Sequence, residues 1–240
     1  MSLPHVAFRA SAPLTASTQE YIELLGNPRN RPNPALLADV MNHFTRDSID
    51  AFMLAPVEQL GITGGQRRLV EFVAETVHKS TQVVMKATVN KLDHDQHRRC
   101  AEYMDAMRLL LPHEEGDGHW YVSFPAPAAF AQRARTSMHR ARTHGPKGEL
   151  QETMSVMKAL TDLAIENYYE RPLALLRFGP ILSKVSDVAI GAVRKGSHST
   201  IDNLFPKLSE EQLAKGVDYF DALLIDVPRA HLREPVRLSS

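Results

Sequence analysis

The chain has 240 residues, of which 43% are hydrophobic and 23% are charged, so its composition excludes global disorder and allows a substantial buried core. Lysine plus arginine and aspartate plus glutamate number 28 each, which argues against nucleic acid as a partner because the excess positive charge that phosphate binding requires is missing. The single cysteine, Cys100, excludes an intramolecular disulfide and fits a reducing compartment.

Long apolar segments are interrupted by charges throughout the chain. A membrane-spanning helix needs roughly 18 uncharged apolar residues. The longest candidate, PLALLRFGPILSKVSDVAIGAV, contains Arg177, Lys184 and Asp187. The first 17 residues have no continuous apolar core of the kind that signal peptides carry. We therefore expect a soluble, cytoplasmic protein without a membrane span.

The first elements in chain order are an N-terminal arm and the start of a helical domain. Residues 1–34 predict an arm with a short helix around TQEYIELLG and a loop, GNPRNRPNP, in which three prolines forbid regular structure. Residues 35–228 predict a single helical domain. Within it, Thr63 and Gln66 form a capping-box pattern that begins a helix reaching about Asn90.

The second half contains one stretch rich in strand-forming residues, HWYVSF at 119–124. No partner of similar character lies nearby, so we predict an isolated extended segment rather than part of a sheet. The last helix begins at the capping box of Ser209 and Gln212, and its apolar stripe continues to Val227. Residues 229–240 predict a loose tail, and no internal repeat is apparent. The predicted fold is all-α, a multi-helix bundle of about six to eight helices with an N-terminal arm and one short extended segment.

The segment KLDHDQHRRC, residues 91–100, concentrates groups that could bind a metal. His94, Asp95 and His97 are the candidate ligands, and the His-Asp pair is similar to that of metal-dependent helical phosphohydrolases. The surrounding HDQHRR is polar, however, and further ligands cannot be assigned. The alternative interpretation is that Asp93 and Gln96 cap a helix, and on it we expect both histidines to face water.

Glu75 and His78 form a second candidate, a Glu-x-x-His pattern of the type found in helical-bundle di-iron sites. Such a site needs a second copy of the pattern, and the sequence has none. With about 100° per residue, the polar stripe that contains Glu75 and His78 lies about 130° around the helix from Val70, Val73 and Val77. A solvated polar face is therefore the favoured interpretation, and we predict no metal or cofactor.

A basic segment lies between Asp117 and Glu149, where no acidic residue occurs. Its side chains are candidates for contact with the acidic surface of a partner: Arg133, Arg135, Arg140, Arg142 and Lys147. Alternatively, the acidic residues near the C-terminus neutralise this segment within the fold or across a dimer: Glu210, Glu211, Asp218, Asp221 and Asp226.

The region 174–195 has a wide apolar face at helical spacing. It is formed by Phe178, Ile181, Leu182, Val185, Val188, Ala189, Ala192 and Val193. Burial in the core is the default for such a face. Contact with a lipid or a polymer-granule surface, peripheral and without a membrane span, is the alternative.

The function that the sequence favours is a non-catalytic cytoplasmic interaction or regulatory protein that acts through helix surfaces, with a protein partner or self-association. Its recognisable signals specify folding, and no motif supplies a complete catalytic set. Two alternatives remain open. One is a metal-dependent, hydrolase-like all-α enzyme that uses the His/Asp cluster near 94–97, and the other is an amphipathic protein at a lipid or granule surface.

The spacing of Cys100, Met104, Met107 and Leu111 predicts that the thiol projects into the core. We therefore expect a thiol reagent to label Cys100 slowly in native buffer and quickly in denaturant, because burial withholds the sulfur from solvent. The denatured sample controls for the reactivity of the reagent. Rapid labelling of the native protein would show that this helix face is assigned wrongly.

Overall fold

The computed structural model describes residues 2–27, 29–111, 119–176 and 180–232, except for the side chains of 180–183, 185, 186 and 189. Helices account for most of these residues, which confirms the predicted helical class. In chain order they are α1 (Ala12–Gly26), α2 (Pro34–Ile49), α3 (Ala55–Gln59), α4 (Gly64–Thr88), α5 (His94–Met107), α6 (Ala128–His144), α7 (Leu150–Ile165), α8 (Arg171–Leu175), α9 (Pro180–Leu204) and α10 (Glu210–Ala222). Among them α3 and α8 have only five residues each, and two π-helical segments precede these, Asp50–Leu54 and Glu166–Glu170.

Four strands form one antiparallel sheet in the order β2-β3-β1-β4. They are β1 (Ser2–Arg9), β2 (Arg108–Leu109), β3 (Tyr121–Pro125) and β4 (Leu224–Pro228). The prediction of HWYVSF as an isolated extended segment is wrong, because β3 pairs with both β1 and β2. Residues 2–9, within the segment predicted as an arm, form a central strand of this sheet. β1 and β3 are more than 100 residues apart, and the nearby partner β2 has only two residues, so no local pattern shows the pairing.

Two of the three predicted capping boxes are present. Asp93 with Gln96 and Ser209 with Gln212 each exchange both side-chain-to-backbone hydrogen bonds. Thr63 stands at the N-cap of α4 but accepts no hydrogen bond there through its side chain. The last helix is shorter than its apolar stripe predicts, because α10 ends at Ala222 and Val227 is buried in β4 instead.

The second half of the chain repeats the first, so the prediction of no internal repeat is wrong. The helices, the π-helical segments and the last strand of the second half each begin 116 residues after their counterparts: 12 and 128, 34 and 150, 50 and 166, 55 and 171, 64 and 180, 94 and 210, 108 and 224. The π-helical segments and the five-residue helices occur at the same places in both halves. The repeat is hard to see in the sequence because few positions are identical at this spacing, among them Val40 and Val156, Met41 and Met157, and Gln96 and Gln212.

The sheet relates the two halves by a pseudo-two-fold axis. Ala7 and Ser123, which are counterparts, pair directly with each other where β1 and β3 meet. Leu224 of the second half pairs with Val6, just as Arg108 of the first half pairs with Val122. The last strand of each half therefore pairs with the first strand of the other half, so neither half forms its part of the sheet alone.

A proline explains why each π-helical segment needs the other half. The amide of Ala55 donates to the carbonyl of Asp50, five residues earlier. The next carbonyl, that of Ala51, would need an amide from residue 56, but Pro56 has no N–H. The Tyr219 hydroxyl supplies the missing donor across the axis, with an oxygen–oxygen distance of 2.6 Å.

The second half makes the same contact in the opposite direction. Pro172 leaves the carbonyl of Asn167 without its amide, and the Tyr103 hydroxyl donates to that oxygen at 2.6 Å. A second pair of bonds follows the same symmetry. The side-chain amide of Gln212 donates to the Leu60 carbonyl at 3.0 Å, and that of Gln96 donates to the Leu176 carbonyl. Four symmetric hydrogen bonds therefore join the halves.

Removal of either tyrosine hydroxyl leaves a carbonyl without a donor. We expect Tyr103→Phe and Tyr219→Phe each to lower the free energy of unfolding by about 1 kcal/mol, measured by urea denaturation. Tyr168→Phe is the matched control, because the Tyr168 hydroxyl has no hydrogen-bond partner among the described residues. We expect Tyr168→Phe to lower the free energy of unfolding by less than about 0.5 kcal/mol. An equal cost for all three variants would contradict this account of the halves.

Candidate functional site

The three candidate metal ligands of α5 point to different surroundings. His94 is exposed, and its Nε2 lies 3.2 Å from the Asn30 carbonyl oxygen. Asp95 forms ion pairs with Arg98 and Arg99 of its own helix, at 3.5 and 2.7 Å. His97 faces the core. The helix therefore separates the groups that the sequence places together.

The expectation that His97 faces water is wrong, because its side chain is completely buried. The Tyr21 hydroxyl lies 2.8 Å from His97 Nδ1 and 3.1 Å from the His97 carbonyl oxygen. Both bonds form together when the hydroxyl donates to the carbonyl and Nδ1–H donates to the hydroxyl oxygen. Burial lowers the pKa of His97, the charge of His94 lowers it further, and Asp93 opposes the shift. His97 is thus a neutral core residue that ties α5 to α1.

The Glu-x-x-His pattern lies on a polar face of α4. Glu75 is exposed and pairs with Lys79 at 2.7 Å. His78 Nε2 lies 3.0 Å from the side-chain amide nitrogen of Gln82. Within the described part of the chain, no three histidine, cysteine, aspartate or glutamate side chains are grouped as a metal would require.

The basic segment forms α6, and three of its arginines bind acidic residues of the same chain. Arg133 makes a two-pronged contact with Glu152 at 2.7 and 3.1 Å. Arg142 binds Asp218 and Asp221 of α10, at 2.9 and 2.8 Å, and Arg135 binds Asp226 of β4 at 3.0 Å. These contacts support the intramolecular alternative for the C-terminal acidic residues. Arg140 and Lys147 are exposed.

Only part of the apolar face at 174–195 can be described. Phe178 and the side chains of Ile181, Leu182, Val185 and Ala189 lie outside the described residues. Val188 is exposed, whereas Val193 is partly buried and packs beside Val77 and Ile49. The lipid or granule surface therefore stays a prediction.

The strongest candidate site is an apolar cavity, which we call cavity 1, with a volume of about 100 Å³. The first half contributes α2, the C-terminal part of α4 and the inner face of α5, with Met41, Met85 and Cys100 among the lining residues. The second half closes the cavity with Tyr168 and Tyr169 of its π-helical segment and with α8. Each half thus supplies part of the wall.

A second cavity, cavity 2, has a volume of about 130 Å³ and is the counterpart of the first. Its walls come from α7, α9 and α10 of the second half and are closed by Phe52 and Met53 in the π-helical segment of the first half. Lining residues of the two cavities correspond at the 116-residue spacing: Met41 and Met157, Phe44 and Leu160, Met85 and Ile201, Leu92 and Leu208, Met104 and Phe220, Pro172 and Pro56. Tyr168 and Tyr169 line both cavities.

The groups that line these cavities are neutral near pH 7. Among the described residues around either cavity, none is an acidic, basic or histidine side chain. Burial raises the pKa of the Cys100 thiol to about 12, so the prediction of a buried, unactivated cysteine is confirmed. Burial also raises the pKa of Tyr103 to about 12, with Glu166 adding to the shift and Arg171 opposing it. The walls therefore offer apolar surface and neutral hydroxyls.

Most hydroxyl groups in the walls already have partners. Thr81, Thr88 and Thr200 donate to carbonyls four residues earlier in their own helices, at 3.0, 2.7 and 2.9 Å. The Tyr168 hydroxyl, the Thr18 hydroxyl and the Trp120 Nε1 have no hydrogen-bond partner within the described part of the chain. Of these three, only Tyr168 lines both cavities.

No single segment of the sequence predicts this site, because each cavity is lined by residues that are far apart in the chain. Two signals in the sequence could have pointed to it. The first is the identity of positions such as Ile49 and Ile165, or Tyr103 and Tyr219, at the repeat spacing. The second is Ala-Pro and Arg-Pro, at 55–56 and 171–172, each just after a helical apolar stripe.

Comparison with known proteins leaves the site to be interpreted from its geometry. No family model, no curated protein and no solved structure matches the chain. None of the described helices combines the length and the hydrophobicity that crossing a membrane would require.

The lowered pKa of His97 predicts a loss of stability in mild acid. Because the folded protein binds this proton less readily than the unfolded chain, the stabilisation by neutral His97 is complete above the ordinary pKa of 6.5 and is lost as the pH falls below it. We expect the free energy of unfolding to decrease over this range and His97→Gln to reduce the slope. His5, whose pKa burial also lowers, should keep the slope above zero. A His97→Gln slope equal to that of the wild type would contradict the prediction.

Proposed function

We propose that this protein is a non-catalytic binding protein whose ligands are small apolar molecules held in cavities 1 and 2. The proposal keeps the non-catalytic role that the sequence favours and adds a ligand site inside the fold. The observation that carries it is the occurrence of a cavity at the same place in both halves, since a packing defect has no reason to recur after the lining residues have changed.

The sizes of the cavities indicate the size of the ligand. An engineered apolar cavity of about 150 Å³ stays dry and binds benzene or xenon. Cavities 1 and 2, at about 100 and 130 Å³, approach that volume. Their methionine side chains, such as Met41 and Met157, have several rotatable bonds and can adapt to a ligand of irregular shape. A molecule of about six carbon atoms is therefore the appropriate class.

The chemistry of the walls supports binding over acid–base catalysis. A general acid or base needs a pKa near the working pH, and a nucleophilic cysteine needs a lowered pKa. Burial instead raises the pKa values of Cys100 and Tyr103, which moves them further from neutral pH. These surfaces provide apolar contact. The favourable free energy of such contact grows with the apolar area that binding removes from water.

A second candidate is contact with a protein partner or a second copy through α4. Leu69, Phe72 and Val83 are exposed on this helix, Phe72 to 67%. At about 100° per residue they lie within a sector of about 60° on one side of the helix. This stripe favours an interaction through a helix surface, in addition to the ligand sites.

We expect two fluorobenzene molecules to bind per chain. The stoichiometry is measured by titrating the protein with fluorobenzene and following the fluorine NMR signal of the bound molecule. Met85→Trp fills cavity 1 and should leave only the site in cavity 2. Ile201→Trp fills cavity 2 and should leave only the site in cavity 1. The double variant should bind none. These two residues are counterparts, and each lines only one cavity, so their side chains test the cavities separately.

Lys86→Trp is the control, because this exposed residue adjoins Met85 and lines neither cavity. It should retain both sites. The absence of saturable binding to the wild type, or binding that survives in the double variant, would overturn the proposal.

A further inference from the structure

Tyr168 is one of the residues that line both cavities. Its side chain is 2% exposed, and its ring packs against Phe44 and Phe124 with centroid separations of 5.2 and 5.0 Å. It lies in the π-helical segment that closes cavity 1, and it also borders cavity 2.

The Tyr168 hydroxyl is buried without a hydrogen-bond partner among the described residues. A buried hydroxyl that forms no hydrogen bond has lost its bonds to water without replacement, which destabilises the folded state. The neighbouring tyrosines do not share this situation. Tyr103 donates to Asn167, and the hydroxyls of Ser48 and Thr81 oppose the rise that burial causes in the pKa of Tyr169.

The other half shows that the fold does not require this hydroxyl. Phe52 is the counterpart of Tyr168, lines cavity 2 and packs against Phe8 with a centroid separation of 5.9 Å. Tyr168 packs in the same way against Phe124, the counterpart of Phe8, with a centroid separation of 5.0 Å. The same ring position is therefore filled by phenylalanine in one half and by tyrosine in the other, so the packing of the ring does not require the hydroxyl.

We propose that the Tyr168 hydroxyl donates a hydrogen bond to a neutral acceptor on the bound ligand, which is a small apolar molecule carrying one ketone or ether oxygen. This inference rests on the proposed function and names its ligand class. A phenol that stays protonated can always donate. A carboxylate ligand is excluded because an ion without a counter-charge is strongly disfavoured in an apolar cavity.

Two probes of nearly the same shape test the proposal: cyclohexanone, which carries the acceptor, and methylenecyclohexane, in which a CH₂ group replaces the oxygen. Their dissociation constants are measured by displacement of fluorobenzene from the wild type and from Tyr168→Phe. We expect Tyr168→Phe to raise the constant for cyclohexanone by about tenfold, the loss of one hydrogen bond. The constant for methylenecyclohexane should change less than about twofold, because the ring that packs on it is kept.

The possible outcomes separate this inference from the proposed function. Equal changes for the two probes, or no change for either, would overturn the role of Tyr168 while fluorobenzene binding still supports the cavities. Failure of cyclohexanone to displace bound fluorobenzene would also overturn it. Failure of fluorobenzene itself to bind would overturn both.

Discussion

The missing N–H of a proline is the constraint on which the joining of the two halves depends. Pro56 and Pro172 each leave one carbonyl of a π-helical segment without a donor inside its own helix. The donor comes from a tyrosine of the opposite half, Tyr219 or Tyr103. Because an unpaired carbonyl is costly wherever water is restricted, each half is more stable in contact with the other than alone. Strand pairing between the halves also stabilises their contact, since the last strand of each half pairs with the first strand of the other.

This reciprocal arrangement explains why the cavities lie between the halves. The short helices α3 and α8 follow the π-helical segments, and each lines the cavity whose long helices come from the opposite half. Each then closes the open side of a pocket formed by the other half's long helices. The geometry is that of an isologous two-fold interface, with these contacts made twice, although both partners belong to one chain. The cavities lie at that interface, so contacts across the axis should influence ligand binding.

Local features of this fold could be predicted from the sequence, and long-range features could not. The helices, the capping boxes at Asp93 and Ser209, and the burial of Cys100 follow from spacing within one or two turns. The central strand β1 pairs with two strands that are more than 100 residues away, and it has no alternating pattern because its central residues are buried on both faces. His97 was misplaced for a related reason. Its polar neighbours suggest a solvated first turn, but the Tyr21 hydroxyl that makes its burial possible comes from another helix.

Comparison of the halves also separates the residues that maintain the fold from those that can set ligand specificity. The four symmetric hydrogen bonds use Tyr103 and Tyr219 and Gln96 and Gln212, which are identical between the halves. The π-helical positions that face the cavities differ instead: Phe52 and Met53 in the first half correspond to Tyr168 and Tyr169 in the second. A structural role applies equally to both halves and keeps such positions alike, whereas two sites with separate ligands are free to diverge. The identical tyrosines therefore maintain the contact between the halves, and the unmatched hydroxyl of Tyr168 adds a polar group to a residue that lines both cavities.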